Sequence, residues 1–153
     1  MIINFPQKSS EPSVAKVYKV DSVTDYPLVL YSSPVYAGSP SISEDFTEGT
    51  LDLNKHLVKN PSKTFIVRVS GDSMRDANIH PEDLLIVDSS LRAVNGNIIV
   101  AAINGELTVK RLCTNNQTIF LMPENSGYAG IEITKDMNFV IWGVVTNVVH
   151  NVQ

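Results

Sequence analysis

The sequence predicts a mainly β domain preceded by a flexible N-terminal arm. Three observations carry this reading. Short runs rich in β-branched and aromatic residues recur after residue 61, clusters of turn-forming residues separate them, and Asn104-Gly105 supplies a two-residue hairpin signal between two such runs.

The elements follow in order. Residues 1–45 form the arm. They hold five of the eight prolines (Pro6, Pro12, Pro27, Pro34, Pro40) and many serines, with no sustained helical period. Two short apolar runs, 14–20 and 28–31, interrupt the arm. Residues 46–153 form the domain. A short helix is predicted over 51–58, with Leu53, Leu57 and Val58 on one face and Pro61 ending it. Strands are predicted over 64–69, 84–87, 97–103, 106–112, 118–122 and 139–149, the last broken in two, for six or seven strands in all. The turns are Ser70-Gly71-Asp72, His80-Pro81-Glu82-Asp83, Asn95-Gly96-Asn97, Asn104-Gly105 and Glu124-Asn125-Ser126-Gly127. Asn104-Gly105 fits a type I′ turn, which needs positive φ at both central positions.

Composition bounds the function. The 153 residues carry a formal net charge of −4, which argues against a domain built to grip nucleic-acid phosphates. No direct sequence-specific DNA binding is expected, since the prolines of the arm leave no room for a helix-turn-helix. The single cysteine, Cys113, reads as a buried thiol in a reducing compartment. The N-terminal residues lack the pattern of a secretory signal, and no run reaches the ~20 apolar residues that span a bilayer. The expectation is a cytoplasmic protein with no membrane association.

The chemistry starts at Val69-Ser70-Gly71-Asp72-Ser73-Met74, where a strand gives way to a tight turn. A serine there is lifted from the sheet beside backbone N–H groups suited to an oxyanion hole. Its hydroxyl needs a base. His56, His80 and His150 are poorly spaced for a triad, although Asp83 could orient His80. Their spacing also predicts no metal site, and no cofactor is implied. Lysine is the other choice, because burial disfavours the ammonium and lowers its pKa. Lys8, Lys16, Lys19, Lys55, Lys59, Lys63 and Lys135 all lie beside turns, prolines or polar residues. Lys110 lies inside a strand between Val109 and Leu112. On residues alone, an outward-facing Lys110 beside Thr108 competes with a buried base.

Taken together, three motifs resemble the LexA/UmuD family of self-cleaving serine–lysine proteins, the S24 peptidase class. They are Ser70-Gly71-Asp72-Ser73-Met74, Asp83-Leu84-Leu85-Ile86-Val87-Asp88 and Gly105-Glu106-Leu107-Thr108-Val109-Lys110-Arg111-Leu112. The resemblance covers about residues 51–149 and favours the UmuD branch, since LexA-type repressors carry a DNA-binding domain that does not fit here. It implies the compact C-terminal β domain of that family, with Ser73 as nucleophile, Lys110 as base, and oxyanion contacts from Ser73 and Met74.

Relatives in this family cut an Ala-Gly or Cys-Gly bond upstream of the domain. Ala37-Gly38 lies in the arm, and Gly38 precedes Ser73 by 35 residues; Ala129-Gly130 lies within the β domain. The resemblance therefore implies self-cleavage at Ala37-Gly38. It further implies a homodimer, a RecA–single-stranded DNA filament as activator, and a UmuC-type translesion polymerase as partner in the SOS response. A phage- or plasmid-type LexA-like regulator without its own DNA-binding domain is the alternative.

Overall fold

The computed structural model describes residues 14–19, 27–31 and 47–153. These fall into two compact units. The smaller contains β2 (Pro27–Tyr31) and β3 (Thr47–Asp52), paired antiparallel, followed by helix α1 (Leu53–Leu57).

The larger unit contains β1 (Val14–Lys19) and the chain from Asn60 onward. Its strands are β4 (Thr64–Val69), β5 (Leu84–Asp88), β6 (Ile98–Ile103), β7 (Glu106–Asn115), β8 (Thr118–Met122), β9 (Ile131–Ile133) and β10 (Phe139–Val149). With β1 they make one antiparallel sheet in the order β1-β4-β5-β10-β6-β7-β8-β9. The mainly β expectation holds.

Several boundaries differ from the sequence reading. The apolar runs at 14–20 and 28–31 supply β1 and β2, and β3 takes Leu51 and Asp52 from the expected helix. That helix starts later because Asp52 caps it: its carboxylate accepts the backbone N–H groups of Asn54 at 2.9 Å and Lys55 at 3.3 Å. Strand β9 spans three residues, too few to show a period. Strand β10 is unbroken. It absorbs its irregular residues as bulges at 141/143 against β6 and at 145/147 against β5. Gly143 is required at the first, since a Cβ there would lie 2.8 Å from Asp88 O and 2.9 Å from Val87 Cγ1.

The Asn104-Gly105 turn joins β6 to β7 as expected, with φ of 50° and 89°. Both faces of the central strands are buried. Val67, Val69, Leu85, Val87, Val100 and Val109 pack with Met74 and Ile79 in one cluster. Ile99, Ala101, Leu112, Leu121 and Val144 form a second. Neighbours in sequence, such as Ile99 and Val100, enter different clusters because strand side chains alternate between faces. Lys110 pairs with Ile99, and Val109 with Val100. Lys110 therefore projects on the side of the second cluster.

Candidate active site

Strand β4 delivers the chain into the turn that carries Ser73. Gly71 takes φ +76°, a conformation that costs glycine little, and redirects the backbone out of the sheet. A 3₁₀ turn over Arg75–Ala77 follows, and Asn78 closes it in the left-handed region at φ 57°. Arg75 N donates to Asp72 O at 3.2 Å, and Ala77 N to Met74 O at 3.0 Å.

A second segment, 124–128, holds this turn from outside. Glu124 N donates to Ser73 O at 2.8 Å, and Asp76 N donates to Glu124 O at 2.7 Å. Asn125 Nδ2 donates to Asp72 O at 2.9 Å, and the Tyr128 hydroxyl donates to the Asp72 carboxylate. Each bond fixes backbone or side chain next to Ser73, which is only 6% exposed. Met74, 2% exposed, anchors the turn in the first core cluster.

Lys110 reaches this turn from β7. Its Nζ donates to Ser73 Oγ at 2.8 Å, to Thr108 Oγ1 at 3.1 Å and to Val109 O at 3.0 Å. All three acceptors are neutral. The side chain is 7% exposed, lying across from Ile99 and two residues before buried Leu112. Burial pushes its pKa down from 10.5 to about 8. Lys110 does share a face with Thr108, but that face points inward. A hydroxyl in hydrogen-bond contact with an amine of lowered pKa has the geometry of a nucleophile and its general base.

Comparison with known proteins matches residues 29–146 to the Peptidase S24-like family. Protein MucA of Salmonella typhimurium is 43% identical over 118 residues, covering 76% of this chain and 80% of the relative. Protein SamA of Salmonella typhimurium is 38% identical over 124 residues, covering 81% and 86%. Protein ImpA of Salmonella typhimurium is 36% identical over 124 residues, covering 81% and 84%.

The chain belongs to the S24 peptidase family. It is a UmuD-like SOS mutagenesis protein within that family of autocatalytic serine peptidases.

In this S24 peptidase, Ser73 and Lys110, 37 residues apart in sequence, are in direct contact. Ala37 and Gly38 lie outside the described residues. Thr108, Asn125 and Tyr128 touch the site but were not singled out as site residues from the sequence. The 124–127 turn signal was visible, yet nothing local ties it to residue 72.

The histidines depart from their spacing. Asp83 Oδ2 accepts the His80 backbone N–H at 2.8 Å, while Asp83 Oδ1 lies 2.6 Å from His150 Nδ1. Seventy residues of sequence (150 − 80) separate His80 from His150, but the sheet brings both beside Asp83. Among the described residues, no helix is long and apolar enough to cross a membrane.

Proposed function

We propose that this chain cuts itself once, between Ala37 and Gly38, with Ser73 as nucleophile and Lys110 as general base. The observation that carries this reading is the 2.8 Å contact between Lys110 Nζ and Ser73 Oγ, in surroundings that favour a neutral amine. Residues 1–45 are then the substrate arm, and 46–153 the catalytic domain.

Neutral Lys110 takes the Ser73 hydroxyl proton as Oγ attacks the Ala37 carbonyl carbon. The tetrahedral oxyanion is held by the N–H groups of Ser73 and Met74. The bond to the Gly38 nitrogen then breaks, and Lys110 returns the proton to the departing amine. Water hydrolyses the Ala37 ester and frees Ser73. Glycine on the leaving side presents no Cβ to the nucleophile. The product, residues 38–153, retains β3 through β10.

Because substrate and enzyme share one chain, the rate follows the fraction of time that the arm occupies the site. A RecA–single-stranded DNA filament acts by raising that fraction, a population shift towards the competent state. The processed chain works in the cytoplasm as a homodimer and serves a UmuC-type translesion polymerase. Support for the activator, the polymerase and the dimer is the likeness to the UmuD branch.

Mass spectrometry after incubation with an activated RecA filament tests the proposal. One product pair, split after Ala37, is expected from the unmodified chain and none from a folded Ser73→Ala variant. Continued cutting at 37/38 by pure Ser73→Ala protein, or a product pair split elsewhere, would sink it.

A further inference from the structure

We propose that His80, Asp83 and His150 form a binding site for a borderline divalent cation of the zinc class. The site is separate from the Ser73–Lys110 pair and does not rest on its catalytic role.

The backbone builds it in two steps. Val149 pairs with Leu84 at the end of the β10–β5 ladder. One residue beyond that pair, His150 meets Asp83. On the other side, His80-Pro81-Glu82-Asp83 is a tight turn closed by Asp83 N donating to His80 O at 3.2 Å. Glu82 occupies its third position at φ 74°, a region that side chains other than glycine and asparagine rarely adopt. The turn is locked to β4, since Val69 N donates to Asp83 O at 2.9 Å and Glu82 N to Val69 O at 3.0 Å. A strained conformation held by several independent bonds marks a place where geometry is being maintained.

The ligand atoms converge. One atom from each of the three side chains lies within 4.8 Å of the others. His150 Nδ1 is 2.6 Å from Asp83 Oδ1, and His80 Nδ1 is 3.7 Å from Asp83 Oδ2. In a tetrahedral zinc site with bonds of about 2.0–2.2 Å, ligand atoms stand about 3.3 Å apart. Binding would open the His150–Asp83 pair and draw His80 inward to that spacing. His80 Nδ1 is buried and, among the described residues, has no hydrogen-bond partner, an orphan that a cation would satisfy. Asp83, 3% exposed, is already oriented by the His80 backbone N–H, as carboxylate ligands commonly are by outer-shell donors. His150 is half-exposed, so water can reach this side of the cluster.

Two imidazoles and one carboxylate suit zinc, nickel or copper(II) better than magnesium or calcium, which prefer all-oxygen shells. A bound cation would clip the end of β10 to the segment that follows the Ser73 turn. It would act as a structural staple.

The test is zinc competition against a chromophoric indicator, using the full-length chain, together with thermal unfolding. One zinc per chain and a Tm raised by several degrees are expected, with no such rise from magnesium. His150 lies beyond the last strand, so His150→Ala should fold as before and weaken zinc binding at least ~10-fold. His80→Gln should do the same, while Cys113→Ser and His56→Ala should keep full affinity. Absence of a one-to-one site, affinity retained in both His150→Ala and His80→Gln, affinity lost in Cys113→Ser, or an equal Tm rise from magnesium would each overturn the assignment.

Discussion

Lys110 and Asp83 are both charged-type side chains buried in the same sheet unit, and they meet opposite surroundings. Among the described residues, Lys110 Nζ contacts only neutral oxygens: a serine, a threonine and a carbonyl. Burial is therefore uncompensated, and the amine is driven towards its neutral form. The Asp83 carboxylate has a backbone N–H on one oxygen and an imidazole on the other. Both of its oxygens are hydrogen-bonded where they sit. Burial alone does not decide what an ionisable group becomes; its partners do. The unsupported group is suited to accept a proton, and the supported one to hold a hydrogen-bonded or metal-bound geometry.

The comparison breaks most visibly if Lys110 loses its amine. Lys110→Met should reduce self-cleavage by ~10³-fold or more while keeping the fold. The same change should raise stability at pH 7 by about 1–3 kcal/mol, because a buried ammonium with only neutral partners is replaced by an apolar chain of similar length. The sign with pH follows from the lowered pKa. Between about 8 and 10.5 the unfolded chain binds the Lys110 proton and the folded chain does not, so wild-type stability climbs with pH across that window. The advantage of Lys110→Met should shrink over the same range. Denaturant unfolding at pH 7 and pH 10.5 measures both; a variant less stable than wild type at pH 7 would mean that the ammonium is well supported.

Giving Lys110 the kind of partner that Asp83 enjoys should erase the contrast. Thr108 Oγ1 lies 3.1 Å from Nζ, so Thr108→Asp places a carboxylate beside the amine. The inflection of the cleavage profile should move up by about one unit or more, and cleavage at pH 7 should slow by roughly tenfold. An unmoved inflection would show that the proton counted by the profile is not on Lys110.

The unmodified chain sharpens the same point. With a pKa of about 8, Lys110 is about one-tenth neutral at pH 7 and mostly neutral at pH 9. Spontaneous cleavage should therefore rise roughly tenfold between pH 7 and 9 and level off above. A flat rate in purified protein would count against a lysine base.

Much of the architecture was legible locally. The runs that became β4 to β8 stood out by their β-branched residues, and Asn104-Gly105 named its own turn. Ser73 was legible as a serine at a strand-to-turn junction, and the likeness of three motifs paired it with Lys110. β1 and β2 lay in the proline-rich arm, whose composition argued for extended chain over a paired strand. Gly143 read as an interruption, because what requires glycine there is the close approach of β5, which lies far away in sequence.

By itself, then, the sequence determined where the chain extends, where it turns, and which side chains are available for chemistry. These follow from φ/ψ preferences and short-range period, which act within a few residues. Only the tertiary structure decided that Lys110 faces inward. Both faces of the central strands are covered, so alternation along β7 carries no label for inside or outside. It also decided that Asn125 and Tyr128 hold residue 72, and that His150 meets Asp83 across 67 residues of chain. Those contacts depend on strand order and register, which long-range packing selects, and so do the desolvation and charge support that set each site's chemistry.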